Sequence, residues 1–180
     1  MSEVVQIKDK RFKLSITEKE INDAIDGIVG RMNEELADKD PLFVAILNGS
    51  FMFASEIMKR VTVPSQITFV RIQTYEGMQT TSKYTEVFGL TDNIENKTVV
   101  ILEDIVDSGF TIQSMLKMLD AKKPKEVKVA TLLFKPEALQ CDVKPDYVAL
   151  SIPNDFIVGF GLDYNGYGRN LRNIYSIIDE

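Results

Sequence analysis

The stretch Val99-Val100-Ile101-Leu102-Glu103-Asp104-Ile105-Val106-Asp107-Ser108-Gly109-Phe110-Thr111 decides how this chain folds. An apolar run stops at two adjacent carboxylates, Glu103 and Asp104. Two more apolar residues follow, then a third carboxylate, Asp107, then the small polar turn Ser108-Gly109. Apolar residues on both faces predict a buried parallel strand over residues 98–102. Beyond Thr111, the residues Ile112, Met115, Leu116 and Leu119 recur at helical spacing. The acids and small polar residues therefore sit where the carboxyl end of a strand hands over to a helix. Ligands of open α/β sheets bind at such places. A helix start also offers unpaired amides and the positive end of a dipole to phosphate.

Outward from this unit, strand and helix patterns alternate. Thr17 with Glu20 predicts a capping box, and Ile16 with Ile21 a hydrophobic staple. Ile21, Ala24, Ile25, Ile28, Val29, Met32 and Leu36 then form one apolar stripe. Residues 41–47 read as a buried strand with Pro41 at its first position. Asn48-Gly49-Ser50 is a turn, 51–60 a helix and 67–72 a strand. The polar segment 74–84 has no usable period and is expected to be a loop, with a short strand over 86–90. A helix from 111 to about 121 ends at Lys122-Lys123-Pro124. Further strands are expected at 127–134, 147–152 and, in the tail, 175–178. The alternation implies an α/β fold, a mostly parallel central sheet flanked by helices. No repeat, low-complexity tract or linker interrupts it, so residues 1–180 are expected to form a single domain.

Composition removes several functional classes. Among 180 residues, 44% are hydrophobic and 27% charged, an ordinary globular balance. The net charge of -6 argues against a general nucleic-acid or anionic-membrane binder. It leaves room for a local anion site, since backbone amides and a metal hold phosphate regardless of net charge. The single cysteine, Cys141, excludes an intrachain disulfide, fits a cytoplasmic setting and reads as a small buried apolar residue. There is no histidine, so acid–base work falls to carboxylate, lysine or tyrosine. Residues 1–11 are polar and predict no signal peptide, and no apolar run reaches membrane-spanning length.

Two familiar phosphate signatures are missing. There is no Gly-x4-Gly-Lys-[Ser/Thr], and Gly159-Phe160-Gly161 continues as Leu162-Asp163-Tyr164 rather than completing Gly-x-Gly-x-x-Gly. The stretch from Val99 to Thr111 instead resembles the phosphoribosyl-diphosphate (PRPP) motif of type I phosphoribosyltransferases. Asp107, placed between the acid pair and the phosphate turn, resembles their 6-oxopurine branch. Leu47-Asn48-Gly49-Ser50 is similar to that branch's pyrophosphate loop, and Lys135 stands where it keeps a base-recognising lysine. The tail Asp155-Phe156-Ile157-Val158-Gly159-Phe160-Gly161-Leu162-Asp163-Tyr164-Asn165-Gly166-Tyr167-Gly168-Arg169 resembles the purine pocket and metal–pyrophosphate segment of hypoxanthine-guanine phosphoribosyltransferases. The resemblance runs from about residue 14 to residue 178.

The resemblance implies a type I phosphoribosyltransferase fold with a small hood built from the terminal segments. It implies Mg²⁺-dependent transfer of the 5-phosphoribosyl group from PRPP to hypoxanthine or guanine, with release of pyrophosphate. Glu103 and Asp104 would accept from the ribose hydroxyls and, with Asp163, serve the metal. Asp107 would be the acid–base group on the purine nitrogen; taken alone, an aspartate there also suits a helix N-cap. Asp107, Ser108, Gly109, Phe110 and Thr111 would cradle the 5-phosphate. Asn48, Gly49 and Arg169 would hold pyrophosphate, the turn through a cis peptide at Leu47–Asn48. The branch commonly has lysine where this chain has Asn48, a departure that removes a charge and leaves the backbone amides as the contacts. Lys135 would donate to the 6-oxo group and so reject a 6-amino purine. Phe156 would stack on the base, and the backbone of Ile157 would meet its remaining edge. Thr74 and Tyr75 would open a lid over 74–82 that excludes water.

The implied partners are PRPP and a 6-oxopurine base, without nucleic acid or membrane, in a homodimer or homotetramer. A transferase preferring xanthine or another base fits the same motifs. A non-catalytic regulator that senses PRPP and binds nucleic acid would show a basic face and often lose the acid–base aspartate. This chain is acidic and keeps Asp107, Lys135, Asp163 and Arg169.

Overall fold

The computed structural model describes residues 3–76 and 83–178. Its order is β1 (Val4–Ile7), β2 (Lys10–Ile16), α1 (Glu18–Glu35), β3 (Leu42–Leu47), α2 (Phe51–Arg60), β4 (Gln66–Glu76) and β5 (Lys83–Phe88). Then follow β6 (Thr98–Val106), α3 (Phe110–Asp120), β7 (Glu126–Phe134), β8 (Tyr147–Ser151), β9 (Ile157–Val158) and β10 (Ile174–Ile177). The large sheet runs β5-β4-β3-β6-β7-β8. Its strands β4, β3, β6, β7 and β8 are parallel, and β5 is antiparallel on the β4 edge. The small sheet, β1-β2-β10-β9, is antiparallel and joins the two ends of the chain, the hood that the resemblance implies.

Side-chain alternation along the strands divides the core. Phe43 and Ala45 of β3 pack with Ile21, Ile25 and Met32 of α1 and with Phe53 and Ile57 of α2. Val44 and Ile46 point the other way and pack with Ile112, Met115 and Leu119 of α3. Helices on both faces explain why β3 and β6 are apolar on both sides. Helix α1 starts as read: the Thr17 side chain accepts from the Glu20 amide, and the Glu20 carboxylate accepts from the Thr17 amide at 2.8 Å.

The structure differs from the sequence reading in three places. The strand expected to stop at residue 102 continues as β6 to Val106, because β7 runs alongside it and pairs Glu103 with Thr131 and Val106 with Phe134. The expected loop 74–84 is partly strand: Thr74 pairs with Thr85 and Tyr75 with Tyr84, so β4 and β5 form a hairpin, and 77–82 lie outside the described residues. The amino terminus, read only as polar, forms the hairpin β1–β2, closed by Lys8 at φ 53° and Asp9. Lys-Asp lacks the Asn-Gly signature of a two-residue turn. The alternation Phe12-x-Leu14-x-Ile16 was its available signal.

Candidate functional site

Three carboxyl ends of neighbouring strands, β3, β6 and β7, and the tail from Phe156 through β9 to Arg169 hold every candidate residue except Thr74 and Tyr75, which lie in β4. The turn after β6 carries the phosphate candidates. Gly109 is the N-cap of α3 at φ 85°, a left-handed conformation that favours glycine, and no side chain caps the helix. The amides that begin α3 are therefore free for an anion. Phe110 and Thr111 are exposed, Ser108 half-buried, so this end is open to solvent. Asp107 does not cap the helix. Its Oδ2 lies 3.2 Å from Lys135 Nζ at the end of β7, across the register that aligns Val106 with Phe134. The Lys135 side chain is 7% exposed and that of Asp107 49%, so a buried ammonium is held against a carboxylate that solvent reaches.

Glu103 and Asp104 are both buried, an unusual state for adjacent acids. Burial first, and then the charge of Asp104, pushes the Glu103 carboxyl well above its ordinary range. Burial also raises Asp104, while the Ile105 amide and the charge of Arg169 act in the opposite direction. Glu103 Oε2 has no hydrogen-bond partner among the described residues. An orphaned buried oxygen of this kind calls for a donor or a cation from outside the chain. The pyrophosphate-loop candidate reaches this pair from β3. The Leu47–Asn48 peptide is cis, Asn48 is exposed and Gly49 buried. A Cβ on Gly49 would fall 1.6 Å from Asp104 Oδ2, so only glycine lets the turn approach the acid.

The tail closes the cluster. Gly161, at φ 101°, packs so tightly that a Cβ would fall 2.0 Å from the Gly49 carbonyl. Arg169 donates from Nη1 to that same Gly161 carbonyl at 2.6 Å, and its Nη2 lies 2.6 Å from Asp163 Oδ1. The second Asp163 oxygen accepts from the Gly166 amide at 2.6 Å. Asp163 is thus tied to Arg169 rather than to Glu103 or Asp104. Among the described residues, no three Asp, Glu, Cys or His side chains form a metal cage. That suits Mg²⁺ held chiefly by phosphate oxygens, which takes only one or two carboxylates, and Glu103 with its free oxygen and Asp104 fit that demand.

At the base end, Ile157 is buried in β9. Phe156 is 46% exposed, not a core aromatic, and so presents a ring to a planar ligand. Two residues that sequence reasoning missed hold it. Phe12 of β2, fully buried, lies 6.3 Å from its ring centroid, and Tyr164 meets it edge-on at 6.0 Å. Tyr164 in turn donates to Asp9 Oδ1 at 3.0 Å. The signal for Phe12 was the period-two pattern of the overlooked hairpin. A separate cleft of about 450 Å³, lined by Ile16, Leu150, Ile152 and Ser176 among others, includes only Ile157 of the candidates. It contains no lysine or arginine, so it is no place for a phosphorylated sugar.

Known proteins resemble this chain in sequence and fold. The family described as phosphoribosyl transferase domain matches residues 15–165. A hypoxanthine-guanine phosphoribosyltransferase of Streptococcus mutans is 38% identical over 160 residues, 88% of this chain and 89% of that protein. The crystal structure of a hypoxanthine phosphoribosyltransferase from Staphylococcus aureus superposes with a TM-score of 0.86 at 32% identity, covering 92% of this chain and 90% of that one. A hypoxanthine-guanine phosphoribosyltransferase from Bacillus anthracis gives a TM-score of 0.84 at 30% identity, covering 98% and 100%.

Proposed function

We infer that this chain, which belongs to the hypoxanthine-guanine phosphoribosyltransferase family, is an enzyme of purine salvage. It transfers the 5-phosphoribosyl group of PRPP to hypoxanthine or guanine. A bond forms between C1 of the ribose and a purine ring nitrogen, the bond from C1 to pyrophosphate breaks, and the proton of that ring system goes to a base. The observation that carries the reading is the meeting of four separated segments at the carboxyl ends of the central strands: Asn48–Gly49, Glu103–Thr111, Lys135 and Asp155–Arg169.

In this reading the free amides and hydroxyls from Ser108 to Thr111 hold the 5-phosphate. Glu103 and Asp104 accept from the ribose hydroxyls and place negative charge beside the oxocarbenium-like transition state. Asp107 takes the purine proton, kept in reach and in orientation by Lys135 at 3.2 Å. Lys135 donates to the 6-oxo group, which leaves a 6-amino purine facing a donor with a donor. Phe156 stacks on the base. The amides of Asn48 and Gly49, with Arg169, meet pyrophosphate. Glu103 and Asp104 would hold Mg²⁺, with Asp163 reaching it directly or through water, and the bound ion would supply charge neutralisation at the leaving group. The chain acts as a homodimer or homotetramer.

Purified protein supplied with Mg²⁺, PRPP and either base should form the nucleoside 5-monophosphate and pyrophosphate in equal amounts. Both bases remaining unconsumed would end this reading. Comparing hypoxanthine, guanine and xanthine under the same conditions sets the order of preference.

A further inference from the structure

We infer that Cys141 is a positioning residue for the phosphate turn, and that its thiol is a point at which PRPP affinity can be changed without touching the base site. The inference rests on the assignment of residues 107–111 to the 5-phosphate. The turn is braced from beneath by the segment that follows β7. The Ser108 carbonyl accepts twice from that segment, from the Gln140 amide at 3.0 Å and from Cys141 Sγ at 3.4 Å. Gly109 lies directly on it: a Cβ there would fall 2.6 Å from Cys141 Sγ and 2.8 Å from Leu139 Cδ1. Cys141 is itself anchored, because its carbonyl accepts from the Val143 amide at 2.9 Å, and Val143 is 5% exposed in the core with Val106 and Ile112.

These contacts decide where the α3 amides point. Gly109 starts the helix in a left-handed conformation with no side-chain cap, so the Gln113 amide, which donates to the Gly109 carbonyl at 2.9 Å, ties the turn to α3 without a side chain to brace it. The thiol supplies both the space-filling contact and a donor to the Ser108 carbonyl. A thiomethyl group added to a sulfur already packed against Gly109 is expected to crowd the turn and shift it. Cys141 is half-buried rather than sealed in the core.

Cys141 is the sole cysteine, which makes the test specific. Methyl methanethiosulfonate converts the thiol to a mixed methyl disulfide and releases methanesulfinate. Intact mass verifies complete conversion, and thermal melting verifies that the fold persists. The KM for PRPP should rise roughly tenfold, the equivalent of about one hydrogen bond to a charged group. The KM for the base should move less than about twofold, since nothing at Phe156 or Lys135 has changed. Dithiothreitol should restore the original value. Cys141→Ser, which keeps a donor of similar size, should stay near wild type and resist the reagent. An unmoved PRPP KM in fully converted, folded enzyme overturns the inference alone. Absence of turnover in untreated enzyme removes the parent assignment, and this inference with it.

Discussion

Asp107 and Lys135 form the pair whose chemistry is most exposed to a single substitution. The ammonium is buried and the carboxylate is half open to solvent, at 3.2 Å. Asp107→Asn keeps the shape and removes the proton acceptor, so kcat should fall by about 10²–10⁴ while the PRPP KM changes far less. Steady-state kinetics with PRPP varied at saturating base measures both, and an unchanged kcat would remove the acid–base role. Sequence alone supplied these two residues through motif position, yet it left Asp107 open between base and helix cap. The structure removes the cap, because Gly109 is the N-cap and Asp107 faces Lys135, and leaves the proton-accepting role to the kinetic test. Distance across a sheet register has no trace in a single sequence. The period-two pattern could have placed Phe12 in a strand, but the same limit hid its packing against Phe156.

Elements with a strong local code were readable, and those set by pairing partners were not. The capping box before α1 and the glycine turn before α3 appear as written, because their signals lie within a few residues. The end of β6 and the hairpin β4–β5 depend on strands elsewhere, so their bounds were misread. A contact between elements gives a clean test at this scale. Tyr147, fully buried at the start of β8, donates to Glu35 Oε2 on the last turn of α1 at 2.8 Å. That bond first, and then Arg31 and Lys128, hold the Glu35 carboxyl below its usual range despite partial burial. Tyr147→Phe should reduce stability by about 1 kcal/mol at neutral pH. The lowered carboxyl contributes stability above its unfolded value of 4.5, and that contribution is lost as pH falls through the lower folded value. Urea denaturation should therefore show a constant gap between wild type and variant near neutrality, closing on acidification below 4.5. A gap that stays constant in acid would show that the phenol acts independently of the ionised carboxylate.

At the scale of the whole molecule, the large sheet is covered unevenly. On one face α1 packs against β8 and α2 against β3 and β6. The register places Phe69 of β4 beside Ala45 of β3, on that same face. Yet Phe69 is 45% exposed, whereas its neighbour Val70, pointing to the α3 side, is buried. A mostly parallel sheet is stable when both faces are covered, so the homo-oligomer proposed above is expected to cover Phe69 with a second copy. Sedimentation equilibrium should return a multiple of the 20.3 kDa chain mass for the wild type. Phe69→Lys places a charge in that contact and should shift the mass toward 20.3 kDa, because an unpaired charge in a desolvated interface is strongly unfavourable. Phe69 lies outside the candidate site, so loss of assembly and loss of chemistry are separable in the same preparation. A wild type that sediments as a single chain, or a variant that keeps the assembled mass, would place the contact elsewhere or remove it.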